Sequence, residues 1–198
     1  MKITHRSRAR RVARWAATLC LAAGTIFALL PAVTSQAASY GTPYYSDIIN
    51  ANSNLCLSVP GASKATAVDL NQYYCGNGDG TDYPDQDWTL YLNNGGSTFV
   101  IVNDNSGLCM SVPGASTAAT TDVNQYPCGL YQDQYWALTD VYDSNIGGYA
   151  WEIQNEHSGL CLSVPGASTA ATAHVNQYPC GLYPDQYWEI GGLDSTTT

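Results

Sequence analysis

Positive charge is almost absent beyond the first fourteen residues. Of seven Lys and Arg, Lys2, Arg6, Arg8, Arg10, Arg11 and Arg14 crowd the N-terminus, and only Lys64 follows. All sixteen Asp and Glu lie after residue 37, so that portion carries a net charge of −15. A surface of this sign repels phosphate backbones and anionic lipid, which excludes nucleic acid and the membrane surface as partners. Histidine is scarce as well: His157 and His174 are the two outside the N-terminal stretch and read as surface residues. There is no CxxC or HxxH pair, so the short-range spacing of a zinc site is missing and no metal or cofactor is expected. The apolar run Ala16 to Leu30 is broken by Thr18, Gly24 and Thr25 and stopped by Pro31, short of the ~18 uninterrupted residues a membrane anchor needs. No amphipathic helix of useful length follows it.

The N-terminal stretch instead has the build of a secretory signal peptide. A basic segment precedes the apolar run, and Ser35-Gln36-Ala37 places small residues where a signal peptidase reads. The expectation is that residues 1–37 are removed and the protein is secreted to the extracellular space. Arg10-Arg11 also fits twin-arginine export, so the route stays open. Residues 38–45, rich in Tyr, Gly and Pro, are expected to form a poorly ordered lead-in, and 194–198 a polar tail. Between them, 46–193 is one domain, at about 150 residues long enough for a real core.

That domain repeats itself. Ser106 to Trp136 reads SGLCMSVPGASTAATTDVNQYPCGLYQDQYW, recurs nearly letter for letter from Ser158 to Trp188, and more loosely from Ser53 to Trp88. The repeats run over about 46–95, 96–146 and 147–193. A repeat of this length is one supersecondary unit that cannot bury its apolar face alone. Three copies without capping repeats favour a closed threefold object over an open solenoid.

Cys20 leaves with the leader, and six cysteines remain: Cys56 and Cys75, Cys109 and Cys128, Cys161 and Cys180, each pair nineteen positions apart. Six cysteines allow fifteen connectivities. Only patterns treating the repeats alike suit threefold symmetry, and the within-repeat pairing closes the shortest loops. In an exported protein three disulfides are expected, each contributing roughly 3 kcal/mol.

Inside a repeat the strands are short and the turns explicit. Leu108, Met110 and Val112 share one side of an extended segment, opposite Cys109 and Ser111. Pro113-Gly114 then has the composition of a type II turn, as do Pro60-Gly61 and Pro165-Gly166. Val123 and Gln125 fall on one side of the next strand, Asn124 and Tyr126 on the other; Gln134 and Trp136 oppose Asp133. Trp88, Trp136 and Trp188 should fill the core, with Gln86, Gln134 and Gln186 binding backbone groups that the turns leave open. About four strands per copy give an all-β closed barrel of about twelve short strands, a β-trefoil.

Cys-Leu-Ser-Val-Pro-Gly, Val-Asn-Gln-Tyr-Pro-Cys and Asp-Gln-x-Trp, repeated along nearly the whole domain, resemble the ricin B-type β-trefoil lectins and the related carbohydrate-binding modules of secreted microbial glycosidases. The resemblance implies one shallow sugar pocket per repeat. An aromatic residue stacks on the ring, a strand amide and the residue before the glutamine bind hydroxyls, and an Asp two positions after the first Cys is the main acceptor. Carried onto this chain, the aromatics are Tyr73, Tyr126 and Tyr178, the amides Asn71, Asn124 and Asn176, and the acids Asp85, Asp133 and Asp185. Where the family has its acceptor Asp, this chain has Ser58, Ser111 and Ser163.

Two readings of that departure remain open. Either Asp85, Asp133 and Asp185 have taken over the carboxylate's duty, or the pockets are vestigial for galactose-like sugars and the fold is an interaction scaffold. The tyrosines and asparagines could also merely cover disulfides and satisfy turns. Recurrence on one face favours the pocket, whose tyrosine plate and polar rim suit the C–H face and hydroxyls of a sugar. In repeat one, Asp79, Asp82, Asp85 and Asp87 crowd a longer loop; no EF-hand spacing is present, so this reads as a solvated acidic loop. No nucleophile or acid–base pair is marked out for catalysis. The expected function is therefore a secreted, monomeric, non-catalytic lectin for a glycan or polysaccharide. The alternative is a protein-binding β-trefoil such as a protease inhibitor or toxin accessory factor.

Overall fold

In the computed structural model the described residues are 43–193, apart from 77–82, 94–95, 130, 145 and 192. The leader 1–37, most of the lead-in, the tail, and Asp79 and Asp82 lie outside them. Fourteen strands are described: β1 (Tyr44–Ser46), β2 (Ile48–Asn50), β3 (Leu55–Ser58), β4 (Val68–Asp69), β5 (Asn71–Tyr73), β6 (Trp88–Leu92), β7 (Thr98–Asn103), β8 (Cys109–Ser111), β9 (Asn124–Tyr126), β10 (Tyr135–Asp143), β11 (Gly148–Asn155), β12 (Cys161–Ser163), β13 (Asn176–Tyr178) and β14 (Tyr187–Ile190). Setting aside β1 and β4, each repeat supplies four, the β-trefoil arrangement. Short 3₁₀ turns join them, and there is no α-helix among the described residues.

Antiparallel pairing runs from β1 through β6, β7, β10, β11 and β14 to β2. Because β1 and β2 are consecutive pieces of one strand broken at Asp47, this path closes a six-stranded barrel. The expectation of a loose lead-in up to residue 45 is corrected here. Tyr44 and Tyr45 stand opposite Leu90 and Thr89, satisfying a barrel edge that would otherwise be open, and Tyr44 packs on the core beside Phe99. Three hairpins, β3–β5, β8–β9 and β12–β13, form the second layer.

The core follows the strand parity. Met110, Val112, Val123 and Trp136 are fully buried, as are their counterparts in the other repeats. Trp88, Trp136 and Trp188 each donate their indole N–H to a strand carbonyl, of Leu57, Met110 and Leu162, at 3.1 Å. A buried indole therefore keeps its one polar group paired, and truncating it to Ala would cost about 3–5 kcal/mol. Gln134 Nε2 donates to Pro127 O at 3.0 Å while its Oε1 accepts from Gly129 N at 2.9 Å. Gln186 and Gln86 repeat that double bond. These glutamines do hold the turn beside the second cysteine, and the disulfides Cys56–Cys75, Cys109–Cys128 and Cys161–Cys180 all form within repeats.

The repeats are also joined to one another. Gln125 Nε2 donates to Ser63 O and Ala65 O of the preceding repeat, at 2.9 and 2.7 Å. Gln177 does the same to Ser116 O and Ala118 O, and Gln72 to Ser168 O and Ala170 O, so the clasp runs once around the molecule.

Candidate functional site

Each repeat carries one cleft, of about 410, 420 and 390 Å³ in chain order. The second is lined by Ser111, Asn124, Tyr126 and Asp133. Ser58, Asn71, Tyr73 and Asp85 line the first, and Ser163, Asn176, Tyr178 and Asp185 the third. All twelve residues singled out by sequence thus fall into three groups of four, one group to a cleft. The register explains it: Ser111 stands opposite Asn124 on the β8–β9 hairpin, and opposed residues rise from the same face. The 3₁₀ turn Gln132–Gln134 then brings Asp133 alongside.

Ser111 Oγ donates to Asp133 Oδ2 at 2.6 Å, Ser163 to Asp185 at 2.6 Å and Ser58 to Asp85 at 2.5 Å. The backbone N–H of Val59 and Val164 donate to the same carboxylate oxygens at 3.0 and 3.2 Å. Each serine therefore commits its one proton to orienting the acid. The second carboxylate oxygen receives no donor among the described residues, which leaves an acceptor on an acid that lines the cleft. Each cleft thus has one buried acid held by a hydroxyl, supplied by the 3₁₀ turn and not by the strand after the first cysteine.

The asparagines line the same clefts. Asn71, Asn124 and Asn176 are 6%, 4% and 4% exposed, and in each Oδ1 is buried without a partner. Their Nδ2 groups make no bond among the described residues, so each amide that lines a cleft has N–H donors to spare. Tyr126 and Tyr178 are 43% and 41% exposed, enough ring face for a ligand to cover. The site thus offers a charged acceptor, an amide donor and an aromatic plate.

Sequence reasoning missed three features. A second tyrosine lines every cleft, Tyr83, Tyr131 and Tyr183. In the first and third clefts its ring stands steeply to the first tyrosine's, with centroids 5.6 Å apart for Tyr73–Tyr83 and 6.2 Å for Tyr178–Tyr183. The signal was present, since a Tyr lies two positions before Asp85, Asp133 and Asp185. A Cβ on Gly181 would lie 2.6 Å from the Tyr183 ring, so glycine after the second cysteine makes room for that plate.

The second missed feature is that each cleft borrows a wall from its neighbour: Ala67 enters the second, Thr120 the third and Thr172 the first. The third is backbone strain. Gly114 has the positive φ that its turn requires, but Ala115 beside it has φ 51°, and Ala62 and Ala167 match it. Ala67, Thr120 and Thr172 also have φ of 59°, 67° and 71°. The left-handed region is disfavoured for residues with a Cβ, most of all β-branched ones, by about 1–2 kcal/mol each. Two such residues in every cleft mark a shape the rest of the fold enforces.

The family model described as "Ricin-type beta-trefoil lectin domain-like" matches residues 84–146 and 143–198. Among solved structures the chain is similar to the designed threefold-symmetric protein ThreeFoil, at 28% identity and a TM-score of 0.67, covering 75% of this chain and 99% of that one. It is similar to the hemolytic lectin CEL-III at 29% identity and a TM-score of 0.59, covering 74% of this chain and 29% of that one. For the exo-beta-1,3-galactanase 1,3Gal43A of Clostridium thermocellum the figures are 25%, 0.64, 74% and 29%. The chain therefore spans under a third of the last two proteins. No curated protein matches it in sequence.

Proposed function

Because the chain belongs to the ricin-type β-trefoil lectin domain-like family, we propose that it is a secreted, non-catalytic carbohydrate-binding protein with three shallow sugar sites. The observation that carries this is the threefold convergence of serine-held aspartate, asparagine amide and tyrosine pair in one cleft per repeat. The acid has moved to Asp85, Asp133 and Asp185, so a sugar's vicinal hydroxyls meet the free carboxylate oxygen and the Asn Nδ2 while its C–H face covers tyrosine. Three weak sites on one rigid body gain by avidity on a polymeric glycan. The three disulfides suit an oxidising, extracellular setting.

The test is a glycan array run with the parent, Tyr126→Ala and Tyr178→Ala. Covering roughly half of a tyrosine's exposed face, about 40 Å², contributes about 1 kcal/mol, or roughly fivefold in single-site affinity. The array is expected to report one glycan class with each variant weaker than the parent. Absence of any bound glycan, or variants equal to the parent, refutes the reading and leaves a protein-binding scaffold.

A further inference from the structure

Asp85, Asp133 and Asp185 are 4%, 8% and 7% exposed, and a charge buried to this degree is normally paired with one of opposite sign. In the clefts it is not. The hydrogen bonds these carboxylates accept come from neutral groups, the hydroxyls of Ser58, Ser111 and Ser163 and the N–H of Val59 and Val164. Lys64 is the single lysine or arginine among the described residues and lines none of the three clefts. No cation among those residues stands within ion-pair distance of the three acids. Each cleft therefore holds an uncompensated negative charge, on a chain whose net charge beyond residue 37 is −15.

A second observation concerns the paired tyrosines. One plate is enough to cover the C–H face of a sugar. The second ring stands at 72° to the first for Tyr73–Tyr83 and at 73° for Tyr178–Tyr183, so it meets the edge of a sugar stacked on Tyr73 or Tyr178, where the substituents project. Tyr131 lines the second cleft together with Tyr126. A Cβ on Gly129 or Gly181 would collide with Tyr131 or Tyr183, so the backbone is kept bare where that ring lies. An aromatic face attracts a cation within about 6 Å of its centroid. A carboxylate without a counter-ion beside two angled aromatic rings makes a site for an ammonium group, which has three N–H donors and no acceptor.

We propose that the clefts select amino sugars, hexoses with a free, protonated amine, over their neutral N-acetyl counterparts, and reject sugars that carry a carboxylate. The inference rests on the glycan reading and names its substrate class. The ammonium takes the place of one vicinal hydroxyl at the carboxylate oxygen that receives no donor from the described residues, with the second tyrosine flanking it. Acetylating the amine removes its charge and two of its three N–H donors. A polymer of such sugars is a polycation, drawn to a chain of this charge before it docks and able to engage more than one cleft.

The test is titration calorimetry at about pH 6, where an amine is protonated, with tetramers of glucosamine and of galactosamine and their N-acetylated forms. At least one amine form is expected to bind about tenfold tighter than its N-acetylated form. The triple variant Asp85→Asn, Asp133→Asn, Asp185→Asn brings the two forms within about twofold, with near-UV circular dichroism confirming the fold. The exposed rings offer a second route: Tyr83→Ala, Tyr131→Ala and Tyr183→Ala together lower the preference about threefold. Asp140→Asn, exposed and outside every cleft, leaves it unchanged. N-acetylated tetramers that bind as tightly as the amine forms, or a uronic acid oligomer that competes for the clefts, overturn the inference and leave the glycan reading standing. No binding by any of the four tetramers also overturns it, while the glycan array decides that reading by itself. Tetralysine displacing the amine form as well as unlabelled tetramer does, or Asp140→Asn weakening it as much as the triple variant, shows attraction between bulk charges and equally overturns the proposal.

Discussion

Replacing Gln125 by Leu tests whether the repeats are held together by side-chain clasps as well as by the shared core. Gln125 is fully buried. It donates to Ser63 O and Ala65 O, and its Oε1 accepts from Ser106 Oγ at 2.8 Å. Leucine of similar volume leaves no large cavity, so the loss is that of three hydrogen bonds, about 1 kcal/mol each. Ser63 and Ala65 lie on a surface loop where water can replace one partner, which puts the total at about 2–3 kcal/mol. Thermal unfolding followed by circular dichroism, with disulfides intact, should show Tm lowered by about 5–10 °C.

The same loop carries Ala67, the borrowed wall of the second cleft, bonded through its N–H to Gln125 O at 2.8 Å. Binding at the Tyr126 cleft should therefore weaken while that at the Tyr178 cleft does not. A stability loss under about 1 kcal/mol, or equal weakening at all clefts, refutes the clasp argument.

Ser111→Asp, which restores the family residue, sets a second carboxylate against Asp133 in a nearly closed site; two acids this close cannot both ionise. The variant is expected to be less stable than the parent at neutral pH and to recover on acidification, read from Tm against pH. Removing one staple by Cys109→Ala with Cys128→Ala should cost about 3 kcal/mol by chain entropy, measured by urea unfolding. Asp87 is held above its ordinary value of 3.8 by partial burial and then by the charges of Asp47, Asp104 and Asp85. Its folded form takes up a proton before the unfolded form does, so its ionised carboxylate opposes folding at neutral pH and the penalty fades as pH falls toward 3.8. Asp87→Asn is expected to raise Tm near pH 7, by less than about 4 °C, and to match the parent in acid; a lower Tm at neutral pH contradicts the argument.

Much of the site was legible because strand parity is a local rule. Once Val123 and Gln125 face inward, Asn124 and Tyr126 must face outward, and the same reasoning sends Ser111 and Asp133 to that side. The inter-repeat clasp was not legible, since nothing local says which carbonyls Gln125 will meet. His174 looked like an isolated surface histidine because the residue it meets, Asp122 at 3.3 Å, belongs to another repeat. Tyr44 looked like part of a loose lead-in because the strand edge that it completes, β6, lies more than forty residues away.

The amino-acid order by itself determined three like units, each with its own disulfide, its tryptophan inside and its polar row outside, because alternation along a strand and loop length act within one repeat. Tertiary structure alone decided how those units meet: Ala67, Thr120 and Thr172 walling their neighbours' clefts, and Gln125, Gln177 and Gln72 clasping carbonyls of the repeat before. Such contacts depend on barrel closure, which sets distances between residues that no local spacing relates.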